Sequence, residues 1–116
     1  MKFARWVFAG AGVYGLLVLP PLYLLEPPDV THPEFYYGFT GVAVAWQVLF
    51  LLLARDPVRY RLLMIPSVLE KAAFGIPAVV LFQQGRTSGL ILGFGIVDLV
   101  LGVLFTIAFV VTPKTG

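Results

Sequence analysis

Apolar residues run along this chain in four stretches, about 3–25, 35–54, 60–82 and 90–111, separated by short segments that hold half of the charged residues and four of the nine prolines. Each stretch is close to the ~20 residues that cross ~30 Å of hydrocarbon at ~1.5 Å per residue. Alternation with a period of two, which barrel strands would show, is absent. Backbone groups in lipid must be satisfied within their own segment, so the predicted elements are helices. The expected fold is all-α: a single transmembrane domain over 1–116, built as an up-down four-helix bundle.

Polar side chains interrupt each stretch near its middle. Tyr14 lies in the first, Gln47 in the second beside Trp46, the adjacent Glu70 and Lys71 in the third one turn after Ser67, and Asp98 in the fourth. The bilayer interior penalises ionisable groups by a few kcal/mol unless they face protein or water, so recurrence at matched depth marks a polar layer. Trp46 and Tyr14 are expected to face the bundle, where an indole or phenol finds a partner. Neighbours on a helix point ~100° apart, so Glu70 and Lys71 are expected to turn to different partners. Counting inward from opposite ends of two antiparallel spans places Lys71 level with Asp98, which shares a stripe with Gly95, Gly102 and Thr106. That leaves Glu70 with Gln47 or Tyr14.

The third stretch is the least regular. Pro66 and Pro77 each remove a backbone donor, at the expense of the Leu62 and Ala73 carbonyls, and Gly75 loosens the same region. One reading is a kinked helix over the full stretch. The other starts the helix at Ser67, with Ser67 as N-cap and Glu70 closing a capping box; its 16 residues to Phe82 would span only ~24 Å.

Glycines suggest where helices touch: Gly10, Gly12 and Gly15 in the first, Gly38 and Gly41 with Ala45 in the second, and Gly89, Gly93, Gly95 and Gly102 in the fourth. The string Gly10 to Gly15 also fits a dinucleotide fingerprint, but the strand and amphipathic helix that give that pattern its meaning are missing.

Composition sharpens the class. Hydrophobic residues make up 59% of the 116 residues and charged ones 12%, with a mean hydropathy of +0.94, the inverse of a water-facing surface. Basic residues set an orientation: Lys2, Arg5, Arg55, Arg59, Arg61 and Lys114 fall on one side of an alternating topology and Arg86 on the other, which predicts cytoplasmic termini. Trp6 and Tyr60 would then mark the inner interface and Tyr23, Tyr36 and Tyr37 the outer one. The basic segment from Arg55 to Arg61 suits anionic lipid head groups better than nucleic acid, and no nucleic-acid partner is expected.

Chemistry beyond the polar layer is sparse. There is no cysteine and no HExxH, phosphate loop or serine with a membrane histidine. His32, near Glu26, Asp29 and Glu34, reads as a solvated proline-rich loop rather than a metal centre, and no metal or cofactor is expected. The layer itself supports two readings, polar glue that fixes helix register or a small cavity for an apolar or amphiphilic ligand. In the second the protein is an accessory subunit or binder. An enzyme or redox-linked subunit would use Glu70 and Asp98 for acid–base work on a lipid-soluble substrate such as a quinone or isoprenoid. A proton-coupled carrier would require a homodimer, since one four-helix unit leaves little room for alternating access. The expected partners are the bilayer, a lipid or quinone, and a second copy or a membrane partner protein.

The segment FYYGFTGVAVAWQVLFLLLARDPVRYR at 35–61, followed by PSVLEK at 66–71, within the four-span layout, resembles small uncharacterised bacterial inner-membrane proteins of the broadly DoxX-like kind. The resemblance implies a multi-pass inner-membrane location, and some members of that group accompany quinone-linked oxidoreductases; it assigns no functional residue. The size is also similar to small multidrug resistance transporters, but their essential glutamate lies in the first helix, which here has none.

Overall fold

The computed structural model describes residues 2–24 and 32–114, and contains four long helices: α1 (Lys2–Val18), α2 (Pro33–Arg55), α3 (Met64–Gln83) and α4 (Gly89–Val111). No strand occurs among the described residues.

Proline chemistry explains each departure from the expected boundaries. The first helix ends at Val18 rather than 25, because Pro20 and Pro21 cannot donate to a continuing ladder. The Leu19 amide makes a last bond to the Gly15 carbonyl at 2.8 Å, and the chain tightens into a 3-10 turn over Pro20–Leu24; Leu25 lies outside the described residues. Helix α2 starts at Pro33, a position where no amide is needed, and stops at Arg55, since Asp56 precedes Pro57 and is pushed out of helical geometry. For the third stretch the full-length reading is the nearer one, and the start at Ser67 does not hold. A 3-10 turn over Arg61–Leu63 leads into α3 at Met64, which places Pro66 in the first turn, where its missing amide costs nothing. Ser67 is no cap: its hydroxyl donates to the Leu63 carbonyl at 2.7 Å. Pro77 stands inside α3 and leaves the Ala73 carbonyl without its usual amide. Helix α4 is capped by Ser88, whose Oγ accepts from the Ile91 amide at 3.3 Å.

Four segments of 23 residues, at Lys2–Leu24, Pro33–Arg55, Arg61–Gln83 and Gly89–Val111, are long and apolar enough to cross a membrane. Their outward faces stay apolar, with Trp6, Leu17, Leu90 and Val110 each at least 70% exposed.

Glycine contacts fix the antiparallel pairing. A Cβ on Gly12 would meet Leu51 at 2.7 Å, and one on Gly15 would collide with Gln47, so α1 runs against α2. On the other side a Cβ on Gly75 would meet Leu99 at 2.6 Å and the Gly95 carbonyl at 3.0 Å, Gly95 faces Ala78, and Gly102 faces Lys71, so α3 runs against α4. Gly75 is thus a contact point rather than a loosening of the helix. Gly10, Gly38, Gly89 and Gly93, expected at helix contacts, have open space where a Cβ would go.

The two hairpins join through α1 and α4, where Phe8 stacks on Phe105 at 4.1 Å and both pack on Phe50. The three rings are fully buried and form the centre of the core. Helices α2 and α3, by contrast, scarcely touch. The bundle measures 50 × 27 × 18 Å, and a lateral groove runs between them.

Candidate functional site

The close α3–α4 approach at Gly75, Gly95 and Gly102 brings Lys71 to Asp98. The Lys71 Nζ lies 3.6 Å from Asp98 Oδ1 and 3.5 Å from Glu70 Oε1. Glu70 and Lys71 therefore meet, contrary to the expectation from their 100° separation. The four-carbon lysine stem is long enough to fold back along the helix, and with 3% of the side chain exposed the ammonium has no route to water. Beneath it lies the Phe50 ring, 5.0 Å from Nζ to centroid. A cation over an aromatic face in a desolvated position gains up to about 2 kcal/mol, so the buried phenylalanine core also serves as a floor for the charge.

One ammonium is shared by two carboxyl groups, each on a side chain 16% exposed. The cluster has room for one further positive charge or proton. Glu70 Oε1 is buried and makes no hydrogen bond among the described residues, so its contact with Lys71 is an ion pair alone. Gln47 Oε1 and Thr112 Oγ1 are in the same condition, and what distinguishes the Glu70 carboxyl group is its position.

That group lines the groove. A cavity of about 810 Å3 lies between α2 and α3, walled by Phe39, Val42 and Trp46 on one side and Glu70, Phe74 and Pro77 on the other. Phe39 and Phe74 stack across it at 5.8 Å. Glu70 is the one ionisable side chain in the lining, and Ala73, whose carbonyl loses its usual amide donor to Pro77, lines it one turn away. Asp98 does not reach it. Lys71 is buried between Asp98 and Glu70, and of the three Glu70 alone lines the groove.

No family model, curated protein or solved structure matches this chain. Its own geometry therefore has to carry the functional reading.

The remaining expected layer residues divide. Trp46 packs on Phe50 at 6.2 Å between centroids and turns its other side to the groove. Tyr14 sits within electrostatic reach of Asp98. Gln47 is fully buried, but its Nε2 donates to the Ala43 carbonyl at 2.7 Å and its body packs on Gly15, so it fixes α1 to α2 rather than meeting Glu70. Ser67 likewise bonds back to its own helix and does not reach the charged pair. Thr106 donates to the Gly102 carbonyl at 2.9 Å and is exposed. His32 and Glu34 are 3.8 Å apart and largely exposed; Glu26 and Asp29 lie outside the described residues.

Two contributors carried no signal in the sequence. Phe50 is one of ten phenylalanines, and nothing local distinguishes it. Arg61 donates from Nε to the Phe109 and Thr112 carbonyls at 3.1 and 2.8 Å and stacks over Phe109 at 3.8 Å. It satisfies orphan carbonyls at the end of α4 and ties the α2–α3 connection to that helix.

Proposed function

We propose that the protein is a multi-pass membrane protein whose groove between α2 and α3 binds a small amphiphilic ligand, with the ligand's polar group against Glu70. The observation that carries this reading is an apolar cavity of about 810 Å3 with a single ionisable wall residue. Ligand sites have this character: ~300–1,000 Å3, mostly apolar, with few polar groups placed to fix orientation. Both polar features, the Glu70 carboxylate and the Ala73 carbonyl, are acceptors. The favoured ligand class is therefore an apolar chain or ring system bearing a hydroxyl or amine donor. The role is that of a binder or accessory protein. Catalysis by Glu70 and Asp98 together has less support, since Asp98 is spent on Lys71 and lies outside the groove lining.

Ala73 is exposed on the groove wall, so Ala73→Trp fills the groove without disturbing the α3–α4 contact. Protein purified in mild detergent should carry an apolar or amphiphilic small molecule detectable by mass spectrometry, and Ala73→Trp should lose it. Equal occupancy in parent and variant would mean that the molecule sits elsewhere.

In our reading the chain sits in a cell inner membrane with both termini and the α2–α3 connection cytoplasmic, from the uneven distribution of Lys and Arg, in line with the DoxX-like resemblance. A cysteine placed at Thr87 should be labelled by an impermeant thiol reagent applied outside, and one at Val58 should be protected. The reverse pattern would invert the topology.

A further inference from the structure

A second cleft, of about 620 Å3, opens at the end of the bundle where α2 gives way to α3. Its wall is apolar, with the buried Leu53 at its base and Ala45, Val48 and Leu52 exposed along one face of α2. Its rim carries Arg55, Asp56 and Arg59, with the Tyr60 ring beneath the Arg59 guanidinium. We propose that this cleft is a binding site for one anionic phospholipid, its phosphodiester held between Arg55 and Arg59 and one acyl chain laid along α2. The proposal rests on the membrane placement above and is independent of the ligand groove.

Charge and length both fit. The ten steps from Ala45 to Arg55 rise ~15 Å along the helix, enough for most of one acyl chain. Of the rim charges, Asp56 is engaged locally, since its Oδ1 accepts from the Arg59 amide at 3.4 Å. The Arg59 guanidinium lies over the Tyr60 ring, 5.5 Å from its centroid, on an exposed residue. Two arginines against one aspartate give the rim a surplus of one positive charge, matched to one phosphodiester, and the guanidinium fork suits phosphate oxygens.

The site is also built in advance. Arg61 is spent on the α4 carbonyls and Phe109, so it takes no part in binding, but it clamps the connection that carries Arg59 and Tyr60. Pro57, buried within the same connection, removes further freedom. A lipid therefore meets an ordered rim, and little ordering cost is added on binding.

Native mass spectrometry in a neutral maltoside tests this with phosphatidylglycerol, phosphatidylcholine and inorganic phosphate as separate titrants. Phosphatidylglycerol should form a one-to-one adduct preferred over phosphatidylcholine, and phosphate alone should neither bind nor compete. Juxtamembrane arginines act on anionic lipid by about fivefold each, so Arg55→Gln with Arg59→Gln should weaken the adduct roughly 25-fold. Arg86→Gln, at the opposite end of the bundle, should leave it unchanged. Thermal unfolding of the double variant should match the parent, because both side chains are exposed. Equal binding of the two lipids, or an adduct that survives the double substitution, would overturn the proposal; competition by inorganic phosphate would reduce it to a simple anion site.

Discussion

Lys71→Met is expected to be the most destabilising single substitution in the chain. Methionine matches the lysine stem in length, so packing on Phe50 and Gly102 survives, but two carboxyl groups then remain in the interior with no cation between them. Breaking a buried ion pair by removal of one member costs about 3–5 kcal/mol, and here one residue serves two partners at 3.5 and 3.6 Å. Asp98→Asn alone should cost less, since Glu70 still holds the ammonium. The decisive comparison is a series. Lys71→Met with Asp98→Asn should recover part of the loss, and adding Glu70→Gln should recover most of it, because all three charges are then gone together. Thermal unfolding in detergent reads each step. Strictly additive losses across the series would mean that the three side chains do not form one cluster.

How much of this arrangement could be read from the chain depended on the range of the interaction. Helix class and number followed from length and hydropathy, as did the level at which Lys71 meets Asp98, because antiparallel spans of equal length align residues counted from opposite ends. Boundaries were less legible. Prolines act within a turn of themselves, but whether Pro20 ends a helix or Pro66 sits harmlessly inside the first turn depends on where the ladder begins. Side-chain direction was the least legible. Ser67 and Gln47 carry groups suited to the polar layer, yet both bond to backbone carbonyls four residues earlier, an alternative always open to such residues in a helix. Glu70 and Lys71 were separated by helix geometry in expectation, and joined by the reach of a flexible lysine. The groove itself had no sequence signal. It exists because glycine contacts close the α1–α2 and α3–α4 hairpins and the Phe8–Phe105 stack joins α1 to α4, while between α2 and α3 the Phe39–Phe74 pair is the one ring contact among the described residues.

The charged cluster can be polar glue alone, or it can present Glu70 to a ligand, and one substitution separates these roles. Glu70→Gln keeps the shape and an acceptor oxygen, and it leaves Lys71 its partner at Asp98. The fold should persist, with an unfolding temperature close to that of the parent. A hydrogen bond to a charged acceptor contributes about 1.5–3 kcal/mol against ~1 for a neutral one, so a donor-bearing ligand should bind roughly tenfold more weakly. Trp46 lines the groove beside Glu70 and reports occupancy in a Trp6→Phe background, Trp6 being exposed. The measurement is quenching of Trp46 fluorescence by a nitroxide-labelled long-chain alcohol, with the labelled alkane of equal length as control. In the parent the alcohol should quench at lower concentration than the alkane, and Glu70→Gln should abolish most of that difference while remaining folded. Identical titrations of alcohol and alkane in the parent, or an unchanged alcohol titration in Glu70→Gln, would contradict the account and leave the cluster as structural glue.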